Sequence, residues 1–365
     1  MSIRRKKIFN AALVAAAVFC GVLFISENQL FSKGVQKGLS ICANSVIPSL
    51  FLFMILSQFI ALSELGGTIS KILSPITVRI YNLPKNCGSA IIMGFIGGYP
   101  AAAKMISSEV KTGRLSKKSA QRLLCSCVNA GPAFVIAAIG VGVYKNAKIG
   151  AELYAAQVLS SIIIGFIMSF CEKRGEKPEN IIPSNISYSS AFVRSVASAT
   201  ESMLHICGYV VFFSAMAEWG IKSGVIERIS DITEKIIPFA PKSDIAAIIC
   251  GLFEASTGSF LSINPVVTAF ILSFGGMSVI FQIADQFSDV DISIKRFILT
   301  RPIHGALTAM LFCLITKIFP TAINTGNFGN NQAKAVLISD SVYVSIALML
   351  SSVIFLFTVS EKKKL

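Results

Sequence analysis

Two apolar stretches that should run as continuous helices are interrupted at their centres, at corresponding places in two halves of the chain. They are Gly94-Phe95-Ile96-Gly97-Gly98-Tyr99-Pro100-Ala101-Ala102-Ala103-Lys104 and Gly251-Leu252-Phe253-Glu254-Ala255-Ser256-Thr257-Gly258-Ser259-Phe260-Leu261. A bilayer core supplies no water to unpaired backbone groups, so non-helical chain at that depth survives only inside protein or beside a polar cavity. Matching interruptions in two halves point to a binding site between two repeats, as in secondary transporters.

That reading needs a membrane, and the composition provides the case for one. Of the 365 residues, 53% are hydrophobic and 14% charged, which excludes an ordinary soluble domain. Apolar runs long enough to cross about 30 Å of hydrocarbon fall near Ile8 to Ile25, Ile41 to Ser63, Ser119 to Val143, Ile149 to Cys171, Val193 to Trp219, Ile263 to Ala284, Phe297 to Phe319 and Ile338 to Val359. The expected fold is an all-α polytopic membrane protein of about eight transmembrane helices plus two re-entrant hairpins, in two inverted-topology repeats.

The formal charge of +14 does not indicate a nucleic-acid partner, because the basic residues sit in short juxtamembrane clusters instead of on one face. Those clusters are Arg4 to Lys7; Lys104, Lys111, Arg114, Lys117 and Lys118; Lys173, Arg174 and Lys177; and Lys362 to Lys364. Loops rich in Lys and Arg stay cytoplasmic, so both termini are predicted inside. The mixed-charge segment Glu218 to Asp244 is predicted outside. These sides agree only if Cys87 to Met105 enters from the cytoplasm and returns there, while Ile245 to Ser262 enters and returns on the outer face.

Spacing supports the two halves. Asn44 to Gly94 is 50 positions and Ser202 to Gly251 is 49, while Gly131 to Gln157 and Gly275 to Arg301 are both 26. The expected organisation is a tail and first helix (1–40), a first repeat (41–171), a cytoplasmic linker (172–192), a second repeat (193–320), and a last helix with a basic tail (321–365).

Within the first hairpin, Gly97 and Gly98 permit a tight turn, and Pro100 suits the first turn of a half-helix, where its missing N–H is no loss. Tyr99 can stack on a ring or lie at an interface. Lys104, one turn later, adds positive charge beside a helix N-terminus that favours anions and carbonyl groups; the alternative is a lysine snorkelling to the basic loop. Asn129, Gly131 and Pro132 interrupt the next span, with Asn129 within reach of the carbonyls that Pro132 frees. In the second hairpin, Glu254, Ser256, Thr257 and Gly258 bring polar groups to membrane depth. A carboxylate there is a functional candidate by default, able to hold a coupling cation, carry a proton, or accept hydrogen bonds. Arg301 needs a partner at such depth, and Glu254 is one choice. Glu201 and His205, at i and i+4, share a helix face and admit a proton relay.

No phosphate loop, paired catalytic carboxylates, metalloprotease helix motif or nucleophile elbow is present. Among nine cysteines the closest spacing, Cys125-Ser126-Cys127, is a weak metal signal without neighbouring ligands. Neither an enzyme, a cofactor nor a metal site is expected.

The motif pair Gly94 to Lys104 and Asn129-Ala130-Gly131-Pro132-Ala133-Phe134, with Gly251-Leu252-Phe253-Glu254, resembles the sporulation integral membrane protein family called YlbJ, whose members contain nucleoside-recognition or Gate domains. The resemblance runs along nearly the whole chain. Ala102 and Ala103 stand where the related pattern has a glycine, and Ala255-Ser256-Thr257 is more polar than that pattern. Gate domains are similar to parts of the membrane region of ferrous-iron transporters and, more distantly, to concentrative nucleoside transporters. The resemblance implies a multi-pass plasma-membrane protein of endospore-forming bacteria, needed for the spore cortex, with a transporter-like core.

The expected function is therefore a carrier binding a small polar solute, nucleoside-like or an ion, between the hairpins, with a coupling cation. The competing expectation is a non-transporting membrane scaffold for cortex assembly. Expected partners are the lipid bilayer, the solute, and either sporulation membrane proteins or a second copy of the chain.

Overall fold

The computed structural model describes residues 3–171, 186–238 and 240–319. All regular structure among them is helical. The predicted last span, the C-terminal tail and most of the linker lie outside the described residues.

In chain order, α1 (Ile3–Ser26) leads to α2 (Asn28–Ile41), which continues through a π-helical turn, Cys42–Val46, into α3 (Ile47–Leu62). Short connectors α4 (Leu65–Ile72) and α5 (Ser74–Arg79) follow, then α6 (Gly88–Ile96) and α7 (Gly98–Lys111). Next come α8 (Lys117–Cys127), a π-helical stretch Ala133–Val141, and α9 (Ala147–Cys171). The second half begins with α10 (Tyr188–Lys222) and the connector α11 (Val225–Ile236). Then come α12 (Lys242–Phe253), α13 (Ala255–Leu261), α14 (Pro265–Phe274), α15 (Gly276–Gln286) and α16 (Lys295–Ile318).

Five helical stretches among the described residues are long and apolar enough to cross a membrane: Asn28–Leu62, Ala147–Phe170, Tyr188–Lys222, Pro265–Gln286, which joins α14 to α15, and Lys295–Ile318. Each contains one of the predicted spans, or most of it. The first of them starts 13 residues before the predicted Ile41, because the polar face of α2, with Lys33, Lys37 and Gln36, masks its apolar one. Buried on that other face are Phe31, Gly34, Gly38 and Ile41, which pack along α10. The predicted span from Ser119 to Val143 is not one helix: it stops at Cys127 and resumes at Ala133. Five of the eight predicted crossings thus fall on such stretches, Ile8 to Ile25 falls on α1, Ser119 to Val143 is broken, and Ile338 to Val359 lies outside the described residues.

The arms of the interrupted segments are short. At 1.5 Å per residue, α6 with nine residues and α13 with seven span about 14 and 11 Å, well below the roughly 30 Å hydrocarbon core. Each packs against its companion arm, α6 on α7 and α12 on α13. Large apolar side chains face outward along the long helices, including Phe170, Val193, Leu204 and Leu299, each at least two-thirds exposed (67–74%). A solvated protein does not tolerate so continuous an apolar surface; a lipid-facing one requires it. Inside, one core crosses both halves, joining Tyr99, Ile106, Leu124, Val135 and Leu153 to Leu272, Ile283, Phe297 and Phe312.

Candidate functional site at the meeting of four helix breaks

The first hairpin turns at Gly98, whose φ of +80° is cheap only for glycine. A Cβ there would lie 2.8 Å from Leu50 Cδ2 and 3.3 Å from the Gly131 nitrogen, so the turn also depends on close approach to the next break. That second break runs over residues 128–132, between α8 and the π-helical stretch. The second hairpin breaks at Glu254, in extended conformation with φ −145° and ψ 116°. A fourth break, absent from the sequence reading, separates α14 from α15 at Gly275 and Gly276, with φ of +86° and +75°. The Gly275-Gly276 dipeptide is the signal that would have revealed it.

Breaking a helix strands its last carbonyls. Arg301, fully buried on α16, serves two such ends together. Its Nη2 donates to the Cys125 carbonyl at 3.0 Å and its Nη1 to Val128 at 3.1 Å, both at the end of α8, while Nη1 also reaches Ser273 at 3.4 Å, at the end of α14. The guanidinium carbon sits 4.4 Å from the Phe297 ring centroid, a cation–π contact. Its partners are therefore carbonyls, not Glu254, the partner suggested by sequence. Tyr99 joins the same place from the first hairpin, donating its hydroxyl to Leu272 at 2.7 Å and to Ser273 at 3.1 Å.

Glu254 caps its own half-helix. Its Oε1 accepts the Ser256 amide at 3.0 Å and its Oε2 the Thr257 amide at 2.5 Å. The carboxylate is almost fully buried, and no Lys, Arg or His lies within ion-pair distance among the described residues. An N-terminal helix end stabilises such a charge, which explains how this one is tolerated.

Between the two tips lies a cavity of about 60 Å³. Tyr99 and Pro100 line it from the first hairpin, Ala130 and Gly131 from the second break, Glu254 and Ser256 from the second hairpin, and Gln282 from α15. Val46 and Leu50 of the first half face Ile206 and Val210 of the second across it. Glu254 supplies the one carboxyl group of this lining. Gln282, unforeseen in the sequence, is held by a hydrogen bond from its Nε2 to Ser278 Oγ at 3.0 Å.

The remaining predicted residues take other places. Gly97 and Pro132 flank the turns without polar contact to the cavity, and Gly258 packs on Gly251. Thr257 is buried beside Glu254, and its amide donates to the Glu254 carboxylate. Lys104 is half-buried, one turn beyond the tip, and does not line the cavity. Asn129 belongs to a separate buried network that satisfies the break: its Nδ2 donates to Cys127 at 3.3 Å, and its Oδ1 accepts Ser161 Oγ at 2.8 Å. Ser161 in turn shares a hydrogen bond with His304 at 3.1 Å. His205 pairs with Asp285 at 2.9 Å, so a relay with Glu201 finds no support in the geometry.

A helical, multi-pass membrane protein built on paired broken helices is the class that this architecture defines. No family model and no solved structure matches the chain. The sporulation integral membrane protein YlbJ of Bacillus subtilis (strain 168) is similar, with 25% identity over 344 residues, covering 86% of this chain and 84% of the relative. This similarity along most of both chains supports the assignment to the YlbJ family.

Proposed function

We propose that this protein is a sporulation membrane carrier that binds a small polar solute between the two hairpin tips and moves it by alternating access. The supporting observation is the convergence of both tips and both broken spans on one cavity carrying the buried carboxylate of Glu254. The two halves share an order of elements, each with a long helix, a surface connector, a two-armed hairpin, a broken span and a closing helix. Such a succession suits inverted-topology repeats, in an eight-span plasma-membrane protein with both termini cytoplasmic. The name of the bacillus relative supports the sporulation setting; a role in cortex formation rests on the family resemblance.

In this reading Glu254 is the coupling group, accepting a proton or a small cation, and Ser256 with Gln282 meets the polar groups of the solute. A 60 Å³ cavity holds on the order of a few waters. A nucleoside-sized solute therefore enters only when one tip withdraws.

The test is thermal unfolding of the protein in lipid nanodiscs with nucleosides, nucleobases, monovalent and divalent cations and cortex precursors, each compared with a Glu254→Gln variant. The expected result is stabilisation by one class, lost in the variant. No stabilisation by any of them, with the wild type folded, would overturn the carrier in favour of a scaffold.

A further inference from the structure

The connector α11 carries two apolar faces, of which the fold uses one. With 3.6 residues per turn, Ile226 and Ser230 share an edge and are buried, and α11 packs there on α10 and α12. A second edge, roughly a quarter-turn away, carries Ile229, Ile232 and Ile236, exposed by 44, 60 and 74%. These isoleucines repeat at three and four positions and form a continuous stripe. Nothing among the described residues covers them.

Charge is arranged around this stripe in order. Glu227, Asp231 and Glu234 lie on the side away from the isoleucines, and Lys242 neutralises two of them, at 3.0 Å from Glu227 and 2.5 Å from Asp231. Arg228 and Lys235 lie on the flank next to the stripe, and neither has a carboxylate within ion-pair distance among the described residues. Apolar stripe, basic flank and distant acidic side are the pattern of a helix lying in a bilayer interface, where isoleucines enter the acyl boundary and cations meet phosphates.

Depth agrees with this pattern. α10 has 35 residues, about 52 Å at 1.5 Å per residue, and its last turns hold the single tryptophan of the chain, Trp219, followed by Lys222. Tryptophan and lysine at a helix end mark the headgroup level. Gly224, with φ +75°, then turns the chain sharply, so α11 begins at that level. The connector of the first half has the same device in smaller form: Ile72 and Ile76 are exposed, beside Lys71 and Arg79.

We infer that α11 is an interfacial helix, resting its Ile229–Ile232–Ile236 edge in one phospholipid leaflet and its Arg228 and Lys235 flank on the lipid phosphates. The leaflet, not a second protein, is the occupant, because α10, on which α11 packs, itself exposes large apolar side chains such as Leu204 and Phe212, and because neither cation beside the stripe has a carboxylate within ion-pair distance among the described residues.

The test uses tryptophan fluorescence in a Trp219→Phe background. Ile232→Trp and, as the opposite face, Glu234→Trp are reconstituted in vesicles of phosphatidylcholine and phosphatidylglycerol brominated either near the headgroup or near the chain end. The expected result is at least about twofold stronger quenching of the I232W protein by shallow than by deep bromine, as befits a stripe buried 5–10 Å into the boundary, with E234W little quenched by either. Adding Arg228→Glu and Lys235→Glu should weaken the shallow quenching in anionic vesicles and leave it nearly unchanged in neutral ones. Absence of quenching for I232W would show that water or protein covers the stripe and overturn the inference, as would equal quenching of E234W.

Discussion

Tyr99 donates its hydroxyl to the carbonyl of Leu272 at 2.7 Å, joining two residues 173 positions apart. The bond ties the tip of the first hairpin to the last turn of α14, where the second half is broken. Removing only the hydroxyl in Tyr99→Phe keeps the ring in the core but leaves the Leu272 carbonyl without this donor. The expected loss is about 1–2 kcal/mol, read as a lowered unfolding midpoint in nanodiscs.

Arg301 serves both broken spans, and its replacement should be more severe. Arg301→Met retains much of the volume but withdraws donors from Cys125, Val128 and Ser273. Each carbonyl left buried without its donor costs about 1–3 kcal/mol, together enough to deplete the folded protein. Arg301→Lys should fall between, because one ammonium lacks the planar fork that spans two helix ends. The order wild type, Lys, Met in folded yield and unfolding midpoint checks this.

Gly276 combines a φ of +75° with a place where a Cβ would lie 2.5 Å from the Gly251 carbonyl oxygen. Gly98 has a similar φ, yet its nearest obstacle is the end of the Leu50 side chain, at 2.8 Å. Side chains yield more readily than backbone. Each Gly→Ala change should cost at least about 1–2 kcal/mol from the left-handed backbone alone, and Gly276→Ala should cost more than Gly98→Ala. Comparing the two midpoints tests that order, and adding Leu50→Ala should recover part of the Gly98→Ala loss.

The loop after α7 is tied to the loop before α16 by Lys111–Asp289 at 2.8 Å and Lys117–Asp291 at 3.1 Å. Hydrogen bonding and charge from Lys111 hold the Asp289 carboxyl below its usual range. A depressed carboxyl contributes stability above the ordinary aspartate range and loses it as pH falls through the lowered value. Hydrogen exchange over residues 105–118 should therefore quicken in strong acid and at high salt, since both charges are exposed. Asp289→Lys should mimic that change at neutral pH, and the exchanged pair Lys111→Asp with Asp289→Lys should restore slow exchange.

The sequence discloses the breaks because glycine, proline and buried polar residues announce them: Gly97-Gly98, Asn129 to Pro132, and Glu254 all fall at observed interruptions. Gly275 served in the comparison of the halves only as a spacing marker, and the break at Gly275-Gly276 lies inside an apolar run long enough to read as one crossing. The partners of Arg301 were not legible either, since they are backbone carbonyls freed by two distant breaks, and a backbone acceptor carries no residue-type signal. Lys104 shows the converse limit. Its nearness in sequence to the first tip suggested a place in the cavity, but it stands a full turn further along α7 than Pro100 and so falls outside the lining. Asn129 turned out to satisfy its own kink, a local role that the adjacent proline already implied.

In the second hairpin α12 and α13 meet glycine to glycine: a Cβ on Gly258 would lie 2.4 Å from the Gly251 Cα. Two backbones in direct contact have no side chains that could repack if the arms spread, so parting them opens a void that nothing nearby fills. The arms are therefore expected to travel together, so that a displacement of the loop near Ser262 carries Glu254, at the other end of α13, along with it.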